Sequence, residues 1–317
     1  MDWFHQAARH RVRGDAFLVI DPMKKLRWQL VIILLTGLVV GVLLITQKPQ
    51  PSSILGTPEP VTGGSYTEGL VGTYQRLNPI LDRYNQADRD VDRLIFSGLV
   101  RFDTQGIPVP DLASSWGVSH DGTIYNIALK PNLVWHDGQP LTSDDIVFTY
   151  GLLKSDHQYL PSDLQAFWKE VEIKKMDDRN LQFRLPEPYA PFMEYLDLGI
   201  LPRHILGTLN IEQLVNAPFN LQPIGSGPYQ FDHPIIENNQ VTGVVLTLFN
   251  RYAGNKPYLT QVIFKYYPNT QAAYQAYTDR EVQGISQVDL ENLPTILSNP
   301  NLATYTGRQP SLTMVLF

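Results

Sequence analysis

The chain has 317 residues, 43% of them hydrophobic, and a formal net charge of −6. That length supports a substantial core and more than one domain, and the acidic balance supplies no basic footprint for nucleic acid. The sequence has no cysteine, which excludes disulfides, cysteine metal sites, a thiol nucleophile and a lipid-bearing cysteine, while 24 prolines and 22 glycines point to many strands and turns.

Residues 1–27 are polar and basic, with Arg9, Arg11, Arg13, Lys24, Lys25 and Arg27 set against Asp2, Asp15 and Asp21. From Trp28 to Gln47 no charged residue occurs, and Leu, Val and Ile dominate. Such a run at helical rise covers about 30 Å, the thickness of a bilayer's hydrocarbon core. The Lys and Arg excess on its N-terminal side predicts that 1–27 is cytoplasmic and that 28–47 is an uncleaved, single-pass anchor in the cell membrane. A cleaved signal peptide is the competing reading; the long basic flank and the lack of a small-x-small site after Ile45 count against it. Residues 48–60, rich in Pro and Ser, read as a spacer.

Beyond the spacer, Gly64–Leu70 reads as a strand, followed by Leu77-Asn78-Pro79 and a polar loop at Asp82–Asp88. Val91, Leu94 and Ile95 predict a short helix ending at Gly98, and Leu99–Phe102 a strand. Asp121-Gly122 marks a tight reversal into Tyr125, Ile127 and Leu129, which alternate with polar or small residues. After breaks at Lys130-Pro131-Asn132 and Asp137-Gly138, Thr142 is placed to cap a helix with Asp144 and Asp145 in its first turn and an Ile146, Tyr150, Leu153 stripe. Val171 and Ile173 with Leu181, Phe183 and Leu185 predict a second hairpin, and Phe192–Leu198 a short helix. Strands follow around Tyr229–Phe231, Val244–Phe249 and Val262–Tyr266. Asn269 caps a helix carrying Ala272, Ala273, Ala276 and Tyr277, and Ser311–Phe317 reads as a strand.

No catalytic constellation is present in the sequence. None of the seven His is followed by Glu, so H-E-x-x-H is absent. Gly225-Ser226-Gly227 fits neither a nucleophile elbow nor a phosphate loop, and reads as a turn where glycine permits close backbone approach. His136-Asp137 resembles an acid–base pair, but a turn packed by Trp135 explains it more simply. Helix capping likewise explains Asp144 and Asp145 better than a metal does. The expectation is a protein that is not an enzyme and holds neither metal nor cofactor.

The pattern P-x-L-A-x-S-W, S-x-D-G-x-x-Y-x-x-x-L-K and V-W-H-D-G-x-P-L-T-x-x-D-I-V-F-T, running from Pro110 to Thr149, closely resembles the extracytoplasmic solute-binding proteins of peptide ABC importers. The resemblance implies an α/β, two-lobed periplasmic-binding-protein type II fold. Its first lobe spans 61–265, and a second lobe begins at 266–317 and is truncated. It further implies binding of a peptide or other small solute by lobe closure, with ABC permease and ATPase subunits as partners and no chemical step. In that family the loop after Leu77-Asn78-Pro79 lies along the ligand, which assigns Tyr84, Asn85, Gln86 and Ala87 to ligand binding. The chain departs from the family at Arg280–Gln283, where the motif is Gly-Glu-Val-Asp. A membrane-anchored ligand sensor of the same fold, or a binder of oligosaccharide instead of peptide, are the alternatives; an extracellular hydrolase lacks its constellation.

Overall fold

The computed structural model describes residues 22–46, 61–155, 158, 161–300 and 302–305; residues 1–21, the 48–60 spacer and the strand predicted at Ser311–Phe317 lie outside the described residues. The chain divides into two compact units, 1–59 and 60–317. Among its described residues the first contains helix α1 (Pro22–Thr46), with side chains described over 29–42. Among the described residues no helix is long and apolar enough to cross a membrane.

The second unit is built on two main sheets. One is a four-stranded antiparallel sheet, ordered β4-β5-β7-β6, from β4 (Ala113–Val118), β5 (Ile124–Leu129), β6 (Glu172–Lys175) and β7 (Asn180–Arg184). A ribbon of β2 (Val100–Phe102) and β3 (Pro108–Pro110) precedes it. The β4–β5 reversal follows from Asp121-Gly122: Gly122 takes φ +71, and Asp121 Oδ1 accepts from the Thr123 backbone N–H at 3.1 Å. Along β5, Tyr125, Ile127 and Leu129 are buried while Asn126 faces out and accepts from Gln182 across the strands. Helix α3 (Ser143–Leu152) starts with the predicted cap, extended to a full capping box. Thr142 accepts from the Asp144 N–H and Asp145 accepts from the Thr142 N–H.

Helix α4 (Ser162–Glu170) goes unanticipated in the sequence because its nine residues carry only Leu164, Phe167 and Trp168 as large apolar side chains. Those three lie on one face and pack the sheet. Trp168 is wholly buried among Tyr150, Phe183, Phe192 and Tyr195, with ring centroids 5.0–6.5 Å apart. The short helices α5 (Phe192–Tyr195), α6 (Arg203–Leu206) and α7 (Ile211–Val215) then lead toward the second sheet.

That second sheet has five strands in the order β11-β1-β10-β9-β8. They are β1 (Ser65–Val71), β8 (Tyr229–Glu237), β9 (Gln240–Leu248), β10 (Gln261–Tyr267) and β11 (Gly284–Ile285). Strands β1 and β10 run parallel, from Ser65 opposite Gln261 to Val71 opposite Tyr267. Strands β8 and β9 are longer than predicted because Asn238 and Asn239 (φ +49 and +63) form a two-residue hairpin turn, which holds pairing to the tip. Helix α8 (Thr270–Thr278), capped by Asn269 as expected, carries the chain from β10 to β11, and α9 (Leu293–Leu297) follows.

Two expectations need correction. The loop at Asp82–Asp88 ends early: α2 (Gln86–Ile95) begins after Asn85 and takes in Gln86, Ala87 and Asp88. It stops at Ile95, before Gly98, because Phe96 turns extended (φ −112, ψ 141). At the family's Gly-Glu-Val-Asp position, the turn survives without glycine: Arg280 itself adopts φ +63. Gln283, in the aspartate's place, accepts from the Thr67 N–H on β1 at 2.6 Å while its own N–H donates to Thr67 O.

Candidate functional site

A concave face forms where α2 meets the Gly225–Gly227 loop, and glycine makes that meeting possible. A Cβ on Gly225 would stand 2.0 Å from Ile95 O, and one on Gly227 2.5 Å from Leu94 O. The Gly227 N–H instead donates to Ile95 O at 2.8 Å, at the C-terminal end of α2. His136 fixes the loop from the other side. Its Nδ1 accepts from the Gly225 N–H and its Nε2–H donates to Gly227 O, both at 3.1 Å, which settles the tautomer. Burial pushes this imidazole down to about 4, so it is neutral at physiological pH. Asp137 pairs elsewhere, with His204 Nε2 at 2.7 Å. His136 and Asp137 are therefore two separate ties and not an acid–base pair, with the wholly buried Trp135 packed beside them.

In front of this junction lies a cleft of about 880 Å³. One wall is the segment before α2 (Pro79, Ile80, Asp82, Arg83) together with Arg89, Asp92 and Arg93 on α2 itself. The floor is Phe96, Ser97, Gly98 and Asp111, and the opposite wall brings Leu164, Trp168, Tyr195, Tyr252 and Asn255. Gly98 has to be small here, since a Cβ would meet Asp197 O at 2.6 Å. The cleft thus mixes guanidinium groups at the rim, carboxyls at the floor and aromatic faces opposite, a set suited to a ligand with both polar backbone and apolar side chains.

The carboxyls differ in how they are satisfied. Asp88, just behind the wall, accepts from the Gln75 and Arg76 N–H groups and from Asn85 Nδ2, yet burial still raises it to about 6. Asp111 is raised by burial and accepts from the Tyr252 hydroxyl at 3.1 Å; burial and that carboxylate push the phenol up to about 12. Asp92 is wholly enclosed, and neither of its oxygens has a well-formed hydrogen bond among the described residues. Arg83, Arg93 and Arg101 line the cleft, are exposed, and make no ion pair within 4.0 Å among the described residues.

The four residues assigned to ligand binding border this cleft without lining it. Tyr84 is 79% exposed beside the lining residue Arg83. Asn85 donates to Thr73 O and Asp88, and Gln86 donates to Asp90. Ala87 is buried, its Cβ 3.1 Å from where one on Gly72 would stand. Asp92, Ser97, Asp111, Trp168 and Tyr252 are absent from the sequence-based assignment. Asp144 and Asp145 sit away from the cleft: Asp144 pairs with Lys175 at 2.9 Å, and Asp145 accepts from Thr142 and from the Arg203 N–H.

Comparison with known proteins gives a consistent result. The family model described as bacterial extracellular solute-binding proteins, family 5 middle, matches residues 108–317. The oligopeptide-binding protein AppA of Bacillus subtilis is 32% identical over 219 residues, covering 68% of this chain and 39% of the relative. Its solved structure with a nonapeptide superposes with a TM-score of 0.66 at 28% identity, over 75% of this chain and 46% of that one. The structure of NikZ from Campylobacter jejuni with Ni(L-His) gives 0.64 at 26% identity, over 74% and 45%. The chain spans about two fifths of the length of the curated relative and under half of either solved chain.

Proposed function

Because the chain belongs to the bacterial extracellular solute-binding proteins of family 5, we propose that it captures a short peptide outside the cytoplasm and delivers it to the permease and ATPase subunits of an ABC importer. The observation that carries this reading is the 880 Å³ cleft, with guanidinium groups on its rim, three of them in no ion pair among the described residues, and aromatic faces on one wall. A peptide backbone finds donors and acceptors there, while its side chains lie against Trp168, Tyr195 and Tyr252. Binding is completed by closure of a second lobe over the ligand, and no covalent step follows. Within 84–87 we assign ligand contact to Tyr84, with Asn85, Gln86 and Ala87 holding the segment in place. The charge-free run 28–47, with its basic flank, anchors the protein by a single span and leaves 1–27 in the cytoplasm.

Calorimetry against a panel of short peptides and a panel of oligosaccharides tests the ligand class. Saturable binding of peptides with little side-chain preference, weakened by Tyr84→Ala, is expected; a response to sugars alone would reassign the ligand. Protease treatment of intact spheroplasts tests the anchor, since an N-terminal tag should survive while the region after Gln47 is digested. A shortened, soluble extracellular product would overturn it.

A further inference from the structure

We propose that Asp82 and Asp92 share a single proton, and that this proton latches the 78–85 segment to α2 and so makes one wall of the cleft sensitive to pH. The argument starts from burial. Asp92 is 3% and Asp82 7% exposed, and both belong to the cleft wall. An ionised carboxylate so enclosed requires a cation or several donors. Asp92 has neither: its oxygens face the Asn78 backbone N–H and the Asp82 carboxyl, with no well-formed bond among the described residues. Two carboxylates side by side cannot both ionise, whereas one proton between them makes a charge-assisted O–H···O bond.

The groups around the pair do not replace that proton. On α2, Asp88 adds a further carboxyl but is bonded to Gln75, Arg76 and Asn85. Arg89 donates to Arg83 O and to Gln86 Oε1, and Arg93 is exposed at the rim. Both arginines favour ionisation of Asp82 from a distance, yet burial outweighs them and raises it to about 7. Tyr74, after β1, and Tyr266, on β10, face Asp88 and Asp92 with phenols raised by burial, so they bring no charge. Within the 78–85 segment the Leu81 and Asp82 N–H groups donate to Asn78 O and the Asn85 N–H to Asp82 O. Side-chain bonds join it to α2, from Arg89 to Arg83 O and from Asn85 Nδ2 to Asp88. The shared proton adds a further side-chain tie between that turn and the helix, through two carboxyls enclosed on the same wall.

The sign of the effect follows from the raised folded-state value. The shared proton stabilises the fold fully below the ordinary carboxylate range, near 4, and that stabilisation is lost as pH rises from there through about 7. Melting of the full chain in detergent should be followed from pH 5 to 8.5 for the wild type, Asp82→Asn, Asp92→Asn and the double variant. One shared proton means that each single variant flattens the pH dependence as much as the double does. A double variant that flattens it twice as far, or single variants that leave it unchanged, would overturn the proposal. If an asparagine variant does not fold, infrared spectroscopy of the wild type decides. A buried protonated-carboxyl band that disappears around pH 7 is expected, and no such band at pH 6 refutes the latch. Hydrogen exchange of Leu81, Asp82 and Asn85, corrected for intrinsic rates, should accelerate over the same range in the wild type alone.

Discussion

The two main sheets of the second unit are assembled by opposite means. The β4-β5-β7-β6 sheet pairs strands within one stretch of chain, and its β4–β5 and β6–β7 connections are tight hairpins whose turn residues are explicit: Asp121-Gly122 in one, Asp177 in the other, accepting from the Arg179 and Asn180 N–H groups. The β11-β1-β10-β9-β8 sheet joins distant segments, with Thr260 Oγ1 donating to Gly64 O across 196 residues. The first sheet takes its register mainly from two hairpins, joined by the longer-range β5–β7 pairing. In the second, among the described residues, only the β8–β9 hairpin is local, and β1 pairs solely with later, distant strands. The difference teaches where each is vulnerable: local pairing fails through its core, and distant pairing through its ties and edges.

The largest effect should come from the local sheet's core. Trp168→Ala removes the centre of the Tyr150, Phe183, Phe192 and Tyr195 cluster and is expected to cost about 3–5 kcal/mol in denaturant unfolding. The next concerns a tie between the two regions. His136 is held neutral and low while an unfolded histidine titrates near 6.5, so stability present above pH 6.5 is lost as pH falls toward 4. A loss of roughly 2 kcal/mol by pH 4.5 is expected, and His136→Gln should remove that acid-side slope. Thr142→Ala deletes the acceptor in the capping box and should cost about 1 kcal/mol, measurable as a lower denaturant midpoint with an unchanged slope. The smallest effect is a gain at the distant sheet's edge. Arg280→Gly relieves a left-handed backbone and should stabilise by up to about 1 kcal/mol, seen as a higher melting temperature. If losing the His136 tie to the Gly225–Gly227 loop proved costlier than Trp168→Ala, the contrast between the sheets would collapse.

How much was legible in the sequence follows the same division. The Asp121-Gly122 turn, the Thr142 cap and the Asn269 cap are short-range devices, and each is found where the residues place it. The close approach at Gly225 and Gly227 was also readable, because glycine on both sides of Ser226 has few other uses. Helix α7 carries a readable signal too, the Asn210 and Gln213 capping box. The cleft was not legible. Asp92 reads as a polar-face residue of an amphipathic helix, yet it is buried, and Tyr266 on a distant strand lies close enough to feel its charge. The family resemblance brought Tyr84–Ala87 to the edge of the cleft, but the early start of α2 turned Gln86 and Ala87 into helix residues. Polar residues become a site only when long-range pairing encloses them, and no window of sequence carries that information.

The parallel β1–β10 pairing has a consequence for biosynthesis. A ribosome adding 5–20 residues per second finishes β10 roughly 10–40 s after β1. Throughout that interval β1 has none of its sheet neighbours, since β10 and β11 are both made later. Its nascent edge, with Leu70 destined for the core, is therefore exposed while the β4–β7 sheet already has all its strands. An expression host that slows elongation between those points lengthens the exposure, and chaperone demand should rise with it.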